Sequence, residues 1–495
     1  VSQFDTRVPV VLVRTDPNPF HHGTLGAVRS LGRAGIDVRV VARTEGSPVR
    51  HSRYVRGART PVPSPDGGDG DRDEAIFAAL GRVAAGLAHP AVLVALDDAS
   101  AIAVARAYDR LADRFLLPAQ PTALPEQVAD KQRLAALCVR LGVAHPETVA
   151  PGDEREAATA ARRLGLPVVA KWSRPWLLPP GTGLRSTCLL RTSAEAAALF
   201  RRSGQAGSEL LLQEFLPGGH GLDWFFHGYA SRRGTLHGGG TGRKEQSWPR
   251  AAGLTALGRW IPQPAVEETA AALVEALGYR GILDLDFRLD PASGRYHLLD
   301  FNPRPGAQFR LFADGNDMDV VRAQHLDLTH RPLPVPRPRP GRVFVAEQYA
   351  PLHALLPAPA RRRERAWLAA DDPAPALATA LLFGRHALRH LATQARRTLL
   401  PLRTGGTTAL DGTGKALLPA QSRGTRDSAQ DHATSHGSAS DGSASCGSTP
   451  DGSTACGSTP DRTRPDQATS DGTTSNPTVP AVKYEVKYEK KASSC

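Results

Sequence analysis

An α/β chain built from more than one domain is what the sequence predicts, and three observations carry that expectation. Apolar runs of strand length alternate with glycine-terminated helical segments over residues 1–120, the order that a parallel sheet with covering helices requires. Two further strand-like runs, Ile282 to Leu289 and Tyr296 to Phe301, flank an Asp-Pro-Ala-Ser-Gly turn, the pattern of an antiparallel hairpin. From about Leu402 the chain turns to Ser, Thr, Gly and Asp with few large apolar residues, a composition that buries too little to offset the entropy of ordering. The 495 residues divide accordingly into a first domain over 1–120, an α+β domain over 121–331, a small, mostly helical extension over 332–401 and a disordered tail over 402–495.

In chain order, Val8 to Val13 is an apolar strand, Thr24 to Ala34 a helix stopped by Gly35, and Ile36 to Ala42 the second strand. Such a unit is Rossmann-like. Gly23 and Gly26 lack the spacing of a dinucleotide fingerprint, so no bound dinucleotide is expected. His21 and His22 read as members of a solvated loop, with pocket-lining residues as the alternative. A polar stretch over Pro61 to Asp73 leads to a helix, the strand Ala91 to Leu96, the pair Asp97 and Asp98, and a further helix over Ser100 to Asp113. Pro118, Pro121 and Pro125 then interrupt the periodicity and close the domain.

Lysine usage is more informative than net charge, because the chain strongly prefers arginine and its only lysines before residue 400 are Lys131, Lys171 and Lys244. Where arginine serves for surface charge, a retained lysine marks a place that wants a compact point charge, and phosphate oxygens are such a place. Lys131 falls in the first turns of a helix running from Glu126 to a stop at Gly142. Lys171 ends the apolar strand of GLPVVAKW, and the loop after it holds Gly181 and Gly183, whose backbone N–H groups can close over phosphates. Glu209 to Leu216, ELLLQEFL, reads as a buried strand that turns at Pro217, Gly218 and Gly219 before Asp223. The backbone edge of such a strand can hydrogen-bond adenine, and an acid beyond it can take ribose hydroxyls.

On the hairpin, alternation decides which side chains meet. Asp286 lies on the first strand, and Asp300 and Asn302, two apart on the second, point to the same face. Two carboxylates and an amide among Leu, Ile and Phe are costly to bury unpaired, and a hard cation removes that cost. Magnesium takes oxygen ligands, keeps some waters and shares its site with nucleotide phosphates. A solvated acidic hairpin would be written with the same residues, so the hairpin alone leaves both readings open.

The net charge of +12 and the pI near 9.8 suit a phosphate backbone. The arginines are nevertheless scattered beside acids, without an RNA-recognition signature, zinc-finger spacing or aromatic-basic interleaving, so no nucleic-acid partner is expected. No run of about 18 uncharged apolar residues and no charged-then-apolar leader occurs, and a cytoplasmic location is the expectation. Five cysteines are too few to staple this length; Cys138 and Cys188 read as buried thiols.

The two spaced lysines, the glycine loop, the QEFLPG hinge, the third lysine and the DLDF to DFNPR hairpin together resemble the ATP-grasp superfamily, over roughly residues 8–330 and most specifically in Asp-Phe-Asn-Pro-Arg. RSLGRAGIDVRVV and SRYVRGARTP are similar to the leading domain of D-aspartate-ligase-like and carbamoyl-phosphate-synthase-like members. The resemblance implies a Rossmann-like domain ahead of an ATP-grasp domain, with ATP and magnesium, or manganese in its place. It would put Lys131 and Lys171 on the nucleotide phosphates, Lys171 also near adenine, and Lys244 on the terminal phosphate. Gln213, Glu214, Phe215 and Leu216 would hold adenine, with Glu214 the hinge acid, and Asp223 the ribose. Asp286, Asp300 and Asn302 would bind metal, and Arg304 would steady the transferred phosphoryl group or an acyl phosphate. Many relatives have Glu where this chain has Asp300, which leaves one or two metal ions open. The implied reaction joins a small-molecule carboxylate to an amine through an acyl phosphate, releasing ADP and phosphate. A phosphorylating or carboxylase-type ATP-grasp enzyme, and a non-enzymatic scaffold, are the alternatives. The acid, the amine and the oligomeric state are not read from the sequence.

His237, in LHGGG before Lys244, is a candidate base for the amine, with a structural or solvated role as the plainer reading. Trp248 and Arg250 border the acceptor site or belong to an ordinary loop. Beyond the PLPVPRPRPGR connector and the strand-like VFVAEQY, Leu377, Leu381, Leu388, Leu391 and Leu399 lie near one helical face among Arg385, Arg389, Arg396 and Arg397. That face suits packing on the body and, more weakly, contact with a membrane surface. The tail carries two copies of a ten-residue Asp-Gly-Ser repeat, read as linker, and ends in VKYEVKYEKKASSC, read as a solvated terminus with a partner-docking peptide or a tethered substrate-like segment as the alternatives.

Overall fold

The computed structural model describes residues 3–385 apart from 44–45, 58–59, 63–68, 180, 249–252 and 356–361. The first sheet is built from β1 (Val10–Arg14), β2 (Val38–Ala42), β3 (Thr60–Pro61), β4 (Ala91–Ala95) and β5 (Phe115–Leu116) in the order β3-β2-β1-β4-β5. All its pairings are parallel. The central β1 is buried along its whole length, as a run of Val and Leu covered on both faces requires. The order reverses between β1 and β4, and there the C-terminal ends of two neighbouring strands open a crevice.

The helices of this domain are α1 (His22–Arg33), α2 (Asp69–Ala85), α3 (Asp98–Arg106) and α4 (Tyr108–Leu111). Helix α1 starts two residues before the expected Thr24, because the His21 side chain accepts the Thr24 N–H and caps the turn. His22, expected in a solvated loop, is instead buried, with its ring 5.3 Å from that of Phe344, and burial pushes its imidazole down to about 4. The single helix expected over Ser100 to Asp113 is broken at Ala107 into α3 and α4.

The second sheet contains β6 (Thr148–Val149), β7 (Val168–Trp172), β8 (Thr187–Leu190) and β9 (Leu210–Gln213) in the antiparallel order β6-β9-β7-β8. Before and within it come α5 (Leu124–Ala129), α6 (Lys131–Leu141), α7 (Glu154–Leu164) and α8 (Ser193–Phe200). The one helix predicted over Glu126 to Gly142 is two, since Asp130 is extended and serves as N-cap of the second. The strand expected over Glu209 to Leu216 ends at Gln213.

The third sheet holds β10 (Asp223–Ala230), β11 (Leu236–Trp248), β12 (Leu254–Trp260), β13 (Gly281–Leu289), β14 (Tyr296–Asn302), β15 (Val343–Val345) and β16 (Arg363–Arg365), ordered β14-β13-β10-β11-β12-β15-β16. Helices α9 (Pro264–Leu277), α10 (Val320–Leu328) and α11 (Pro351–Leu355) accompany it. The extension expected to be mostly helical also supplies two strands: β15 pairs with β12 and β16 with β15, which buries Phe344 and Val345. Its helical part is α11 and a helix over 374–385. Leu388, Leu391, Leu399, Arg389, Arg396, Arg397, the tail repeats and the C-terminal peptide lie outside the described residues. Among the described residues no helix is long and apolar enough to cross a membrane. Cys138 is a buried free thiol as expected, whereas Cys188 is only half-buried.

Two apolar cores set the geometry between the sheets. One packs Leu283, Leu285, Phe287, Leu298 and Phe301 of β13 and β14 against Leu134, Cys138, Val266 and Leu273. The other joins β1, β2 and α1 to α10 and to Phe225, Tyr229 and Phe312, so that the first and third sheets share an interior.

Candidate active site

Local folding brings the cations together. Asp130 caps α6 by accepting from the N–H groups of Gln132 at 3.0 Å and Arg133 at 3.2 Å, and Ser173 Oγ donates to the same carboxylate oxygen at 2.5 Å. The Lys131 N–H donates to the Ser173 carbonyl at 2.8 Å. Ser173 directly follows β7, so these bonds pin the start of α6 to the end of β7 and hold Lys131 near Lys171. On β7, Val168, Ala170 and Trp172 enter the core shared with α7 and α8, and alternation sends Lys171 to the opposite face. There its Nζ donates to the Leu299 carbonyl at 3.3 Å and lies 3.5 Å from Asp300 Oδ1. Leu299 is the extra residue of a bulge, where the register passes from Asp286 opposite Asp300 to Phe287 opposite Leu298. The bulge leaves its carbonyl out of the ladder and able to accept from the ammonium.

Because Leu283, Leu285, Phe287, Leu298 and Phe301 face the core, Asp284, Asp286, Asp300 and Asn302 share the other face. They stand as opposed pairs, Asp284 with Asn302 and Asp286 with Asp300. Each carboxylate is met by a cation. Lys244 Nζ is 2.7 Å from Asp286, Lys131 Nζ 2.8 Å from Asp300, and Arg304 Nη1 2.7 Å from Asp284. Arg304 Nε also reaches to 3.4 Å from Asp98 at the start of α3, so one guanidinium spans the hairpin and the first sheet. Asp284 Oδ1 is 3.0 Å from His227 Nε2, both side chains being buried. The next turn leaves no room above this pair: a Cβ on Gly306 would lie 2.3 Å from His227 Cε1 and 2.8 Å from Asp284 Cγ.

The site is desolvated, and its ionisation follows from that. Burial works against the charged form of every group here, and the neighbouring opposite charges decide the outcome. For Asp300, burial is outweighed by Lys131 and Lys171, and the carboxyl is held well below the usual range. For Asp284, burial is outweighed by His227 and Arg304, which bring it down to about 2. Burial wins at Asp286, whose pKa is raised despite Lys244, with Asp284 and Asp300 adding to the rise. Burial also wins at Lys171, lowered further by Lys131. Lys131 and Lys244 rise, since their aspartates outweigh burial.

Gly181 and Gly183 sit in the loop joining β7 to β8, at the Lys171 end, with φ of 87° and 71° and open space where a Cβ would stand; such angles favour glycine. Gln213 ends β9, its amide donating to Thr148 Oγ1 at 2.9 Å. Glu214, Phe215 and Leu216 leave the sheet as an extended segment. The Glu214 N–H donates to the Glu147 carbonyl at 2.8 Å, and its carboxylate accepts from the Glu147 N–H at 3.3 Å. Asp223, expected at a ribose, is held by Arg288 at 2.7 Å, and the same arginine donates to the Leu216 carbonyl at 2.9 Å. His237 is not brought to the site: it lies seven residues from Lys244 along β11, hydrogen-bonded to Thr235 at 2.8 Å. Trp248 is exposed and stacks on Tyr349, and Arg250 is outside the described residues.

Sequence reasoning missed Asp284, His227 and the role of Asp98. Asp284 was findable, since it is two residues before Asp286 and so shares its face. His227 and Asp98 reach the site through sheet pairing and domain packing, which leave no local pattern.

The donor set fits a hard cation. Asp286 and Asp300 offer carboxylate oxygens held in register and already facing compact positive charge. Among the described residues no group of three or more His, Cys, Asp or Glu side chains could hold a metal by itself.

No family model matches the chain. In sequence it is similar to D-aspartate ligase of Enterococcus faecium (strain Aus0004), with 22% identity over 326 residues, 63% of this chain and 74% of that protein. Among solved structures it is similar to N5-carboxyaminoimidazole ribonucleotide synthetase from Thermus thermophilus, with 19% identity, 67% of this chain and 81% of that one covered, and a TM-score of 0.49. It is also similar to L-amino acid ligase from Bacillus licheniformis, with 14% identity, 68% and 78% covered, and a TM-score of 0.49. The likeness in sequence to D-aspartate ligase and the lysines gathered over the acidic hairpin agree with the resemblance to the ATP-grasp superfamily.

Proposed function

We propose that the chain is an ATP-dependent ligase that joins a carboxylate to an amine through an acyl phosphate. The observation that carries this is the matched array of four cations and four carboxylates, Lys131, Lys171, Lys244 and Arg304 against Asp98, Asp284, Asp286 and Asp300, in which Asp286, Asp300 and Asp284 each have a cation within 2.8 Å. Such an array is built to be divided. ATP phosphates would take the ammonium groups, and the aspartates they release would hold magnesium, which neutralises phosphate charge when bound.

Each residue then has an electrostatic task rather than a covalent one. Lys131 and Lys171 hold the phosphate chain under the Gly181 and Gly183 loop, and Lys244 meets the terminal phosphate. Asp286 and Asp300, with Asn302 beside them, would hold the metal. The backbone of Glu214 to Leu216 borders adenine; Asp223, engaged by Arg288, helps fix that hinge. Arg304 steadies the phosphoryl group as a substrate carboxylate attacks it, and then the acyl phosphate. The substrate carboxylate oxygen bonds to phosphorus, ADP leaves, and the amine later displaces phosphate from the acyl carbon.

Magnesium-dependent release of ADP and phosphate tests the reading, measured across a panel of carboxylates and amines that begins with D-aspartate, the acid in the name of the E. faecium relative. The expected result is ADP formation that requires an acid, and an amide product when an amine is added. ADP formation without amide would favour a phosphorylating enzyme. No ADP with any pair, or full activity in Asp286→Asn, would overturn the proposal.

A further inference from the structure

We infer that the crevice between the C-terminal ends of β1 and β4 is the amine subsite, and that Asp98 binds the substrate ammonium and takes its proton. This rests on the ligase reading and adds the base that it lacks. The first sheet reverses its strand order between β1 and β4, the place where open α/β sheets bind ligands. At this sheet the crevice does not face solvent alone, because Arg304 lies in it, 3.4 Å from Asp98 Oδ1 and 2.7 Å from Asp284. The residue read as steadying the acyl phosphate therefore touches the mouth of a second pocket.

Asp98 is suited to a cation that is not yet there. Its neighbour Asp97 does the structural work of the turn, accepting from the N–H groups of Thr15, Asp16 and Ser100 at 2.5, 2.8 and 2.7 Å. Asp98 is spared that task. Its Oδ1 is buried and has no hydrogen-bond partner among the described residues, since Arg304 Nε stands beyond good hydrogen-bond length. A buried carboxylate oxygen without a donor is costly, and a substrate ammonium supplies the donor. Burial also raises the Asp98 carboxyl, against the pull of Arg304 and Lys131, which makes it a better proton acceptor than a solvated aspartate. Arg304 also lines a cavity of about 70 Å³ that adjoins this crevice on the β4 and α3 side, walled by Ala95, Ala101, Val104, Leu117 and Tyr279, with Asp98 itself outside the lining. Ala101 is one helical turn from Asp98 and on its face of α3, so carbon attached to the amine has an apolar place to lie.

The step balances. The ammonium gives one proton to Asp98; the free amine forms a C–N bond to the acyl carbon while the C–O bond to phosphate breaks. The departing phosphate takes the bonding electron pair and the second amine proton, and Asp98 later returns its proton to water.

Hydroxylamine separates this inference from the ligase reading, because it is uncharged at neutral pH and traps an acyl phosphate as a hydroxamate without needing an ammonium site. With the acid that supports ADP release, Asp98→Asn should lower the ratio of amide to hydroxamate formation at least tenfold and raise the KM for the amine. The rise of amide formation with pH should lose the ionisation that belongs to the wild-type carboxylate, and Asp98→Glu should recover part of the ratio. If both products fall together, Asp98 is structural and the inference is wrong. If the ratio and the pH profile match wild type, it is wrong as well. If wild type gives no hydroxamate with any acid, the ligase reading itself has failed.

Discussion

At the scale of single residues, the chemistry of the site is a contest between burial and pairing. Lys244 and Asp286 show it most plainly: the ammonium is 2.7 Å from the carboxylate, and removing it leaves a buried acid facing Asp284 and Asp300. Lys244→Ala should therefore lower ADP formation by about a hundredfold or more, and Lys244→Arg should not restore it, because a planar fork does not replace a compact charge. Steady-state assays of the three proteins settle the point. Asp284 makes a prediction about acid. Its folded pKa lies near 2, below the ordinary 3.8, so the group stabilises the fold above about pH 4 and that contribution is lost as pH falls toward 2. The shift corresponds to about 2 kcal/mol. Urea unfolding between pH 5 and pH 2 should show a shallower pH dependence in Asp284→Asn than in wild type, and equal slopes would refute the assignment. That Lys131, Lys171 and Lys244 stand close to Asp286 and Asp300 was legible because lysine is rare and the hairpin alternates, whereas Arg304 was singled out only by the resemblance of Asp-Phe-Asn-Pro-Arg. Asp98 was not, since one Asp after a strand usually means only a helix cap, the task that Asp97 performs here.

Elements decide where those residues point, and irregularities carry much of the result. The faces of the hairpin strands and the alternation of β7 follow from apolar pattern alone, which is why the facing of Asp286 and Asp300 could be read in advance. The bulge at Leu299 could not: a run such as Tyr-His-Leu-Leu-Asp-Phe-Asn has no mark of which residue will be extra, yet that carbonyl is what Lys171 binds. The break at Asp130 was missed for a related reason, since its capping bonds to α6 are reinforced by Ser173, 43 residues away in sequence. Close approach is a third such device. Gly306 lets the Pro-Gly turn lie directly on the His227 and Asp284 pair, where a Cβ would come within 2.3 Å of the imidazole. Gly306→Ala should cost about 1–3 kcal/mol of stability, as overpacking does, and should reduce activity by more than its stability loss explains, because Asp284 positions Arg304. Calorimetry together with assay at a temperature where the variant is fully folded tests both halves; a destabilised variant with wild-type turnover would show that the turn only packs.

Across the molecule, the first sheet and the hairpin are held as one body, and Asp319 is the point where they are joined. It is fully buried and caps α10, accepting from the N–H groups of Val321 and Arg322 at 3.1 Å each. Its other oxygen accepts from Ser30 Oγ of α1 at 2.6 Å and from Arg310, which follows the hairpin, at 2.5 Å. Arg322 adds donations to the Ser30 carbonyl at 3.0 and 2.7 Å. None of the residues read as binding ATP phosphates or metal belongs to the first domain, whereas Asp98, at the start of α3, does. Every one of them also precedes residue 305, so removal of 402–495 should leave ADP formation unchanged. Asp319→Ala removes the cap of α10 and one of three carboxylates around buried Arg310, which keeps Asp317 at 3.1 Å and Glu364 at 3.5 Å, so the loss should be about 1–3 kcal/mol, measurable by urea unfolding. The functional consequence should be selective. Loosening the joint moves Asp98 relative to Arg304 but leaves Lys131, Lys171 and Lys244 over their own sheets. The KM for the amine should therefore rise at least severalfold while the affinity for ATP stays within about twofold, the size of a fraction of a kcal/mol. Parallel weakening of both would mean that the joint supports the whole site rather than the contact between the first sheet and Arg304.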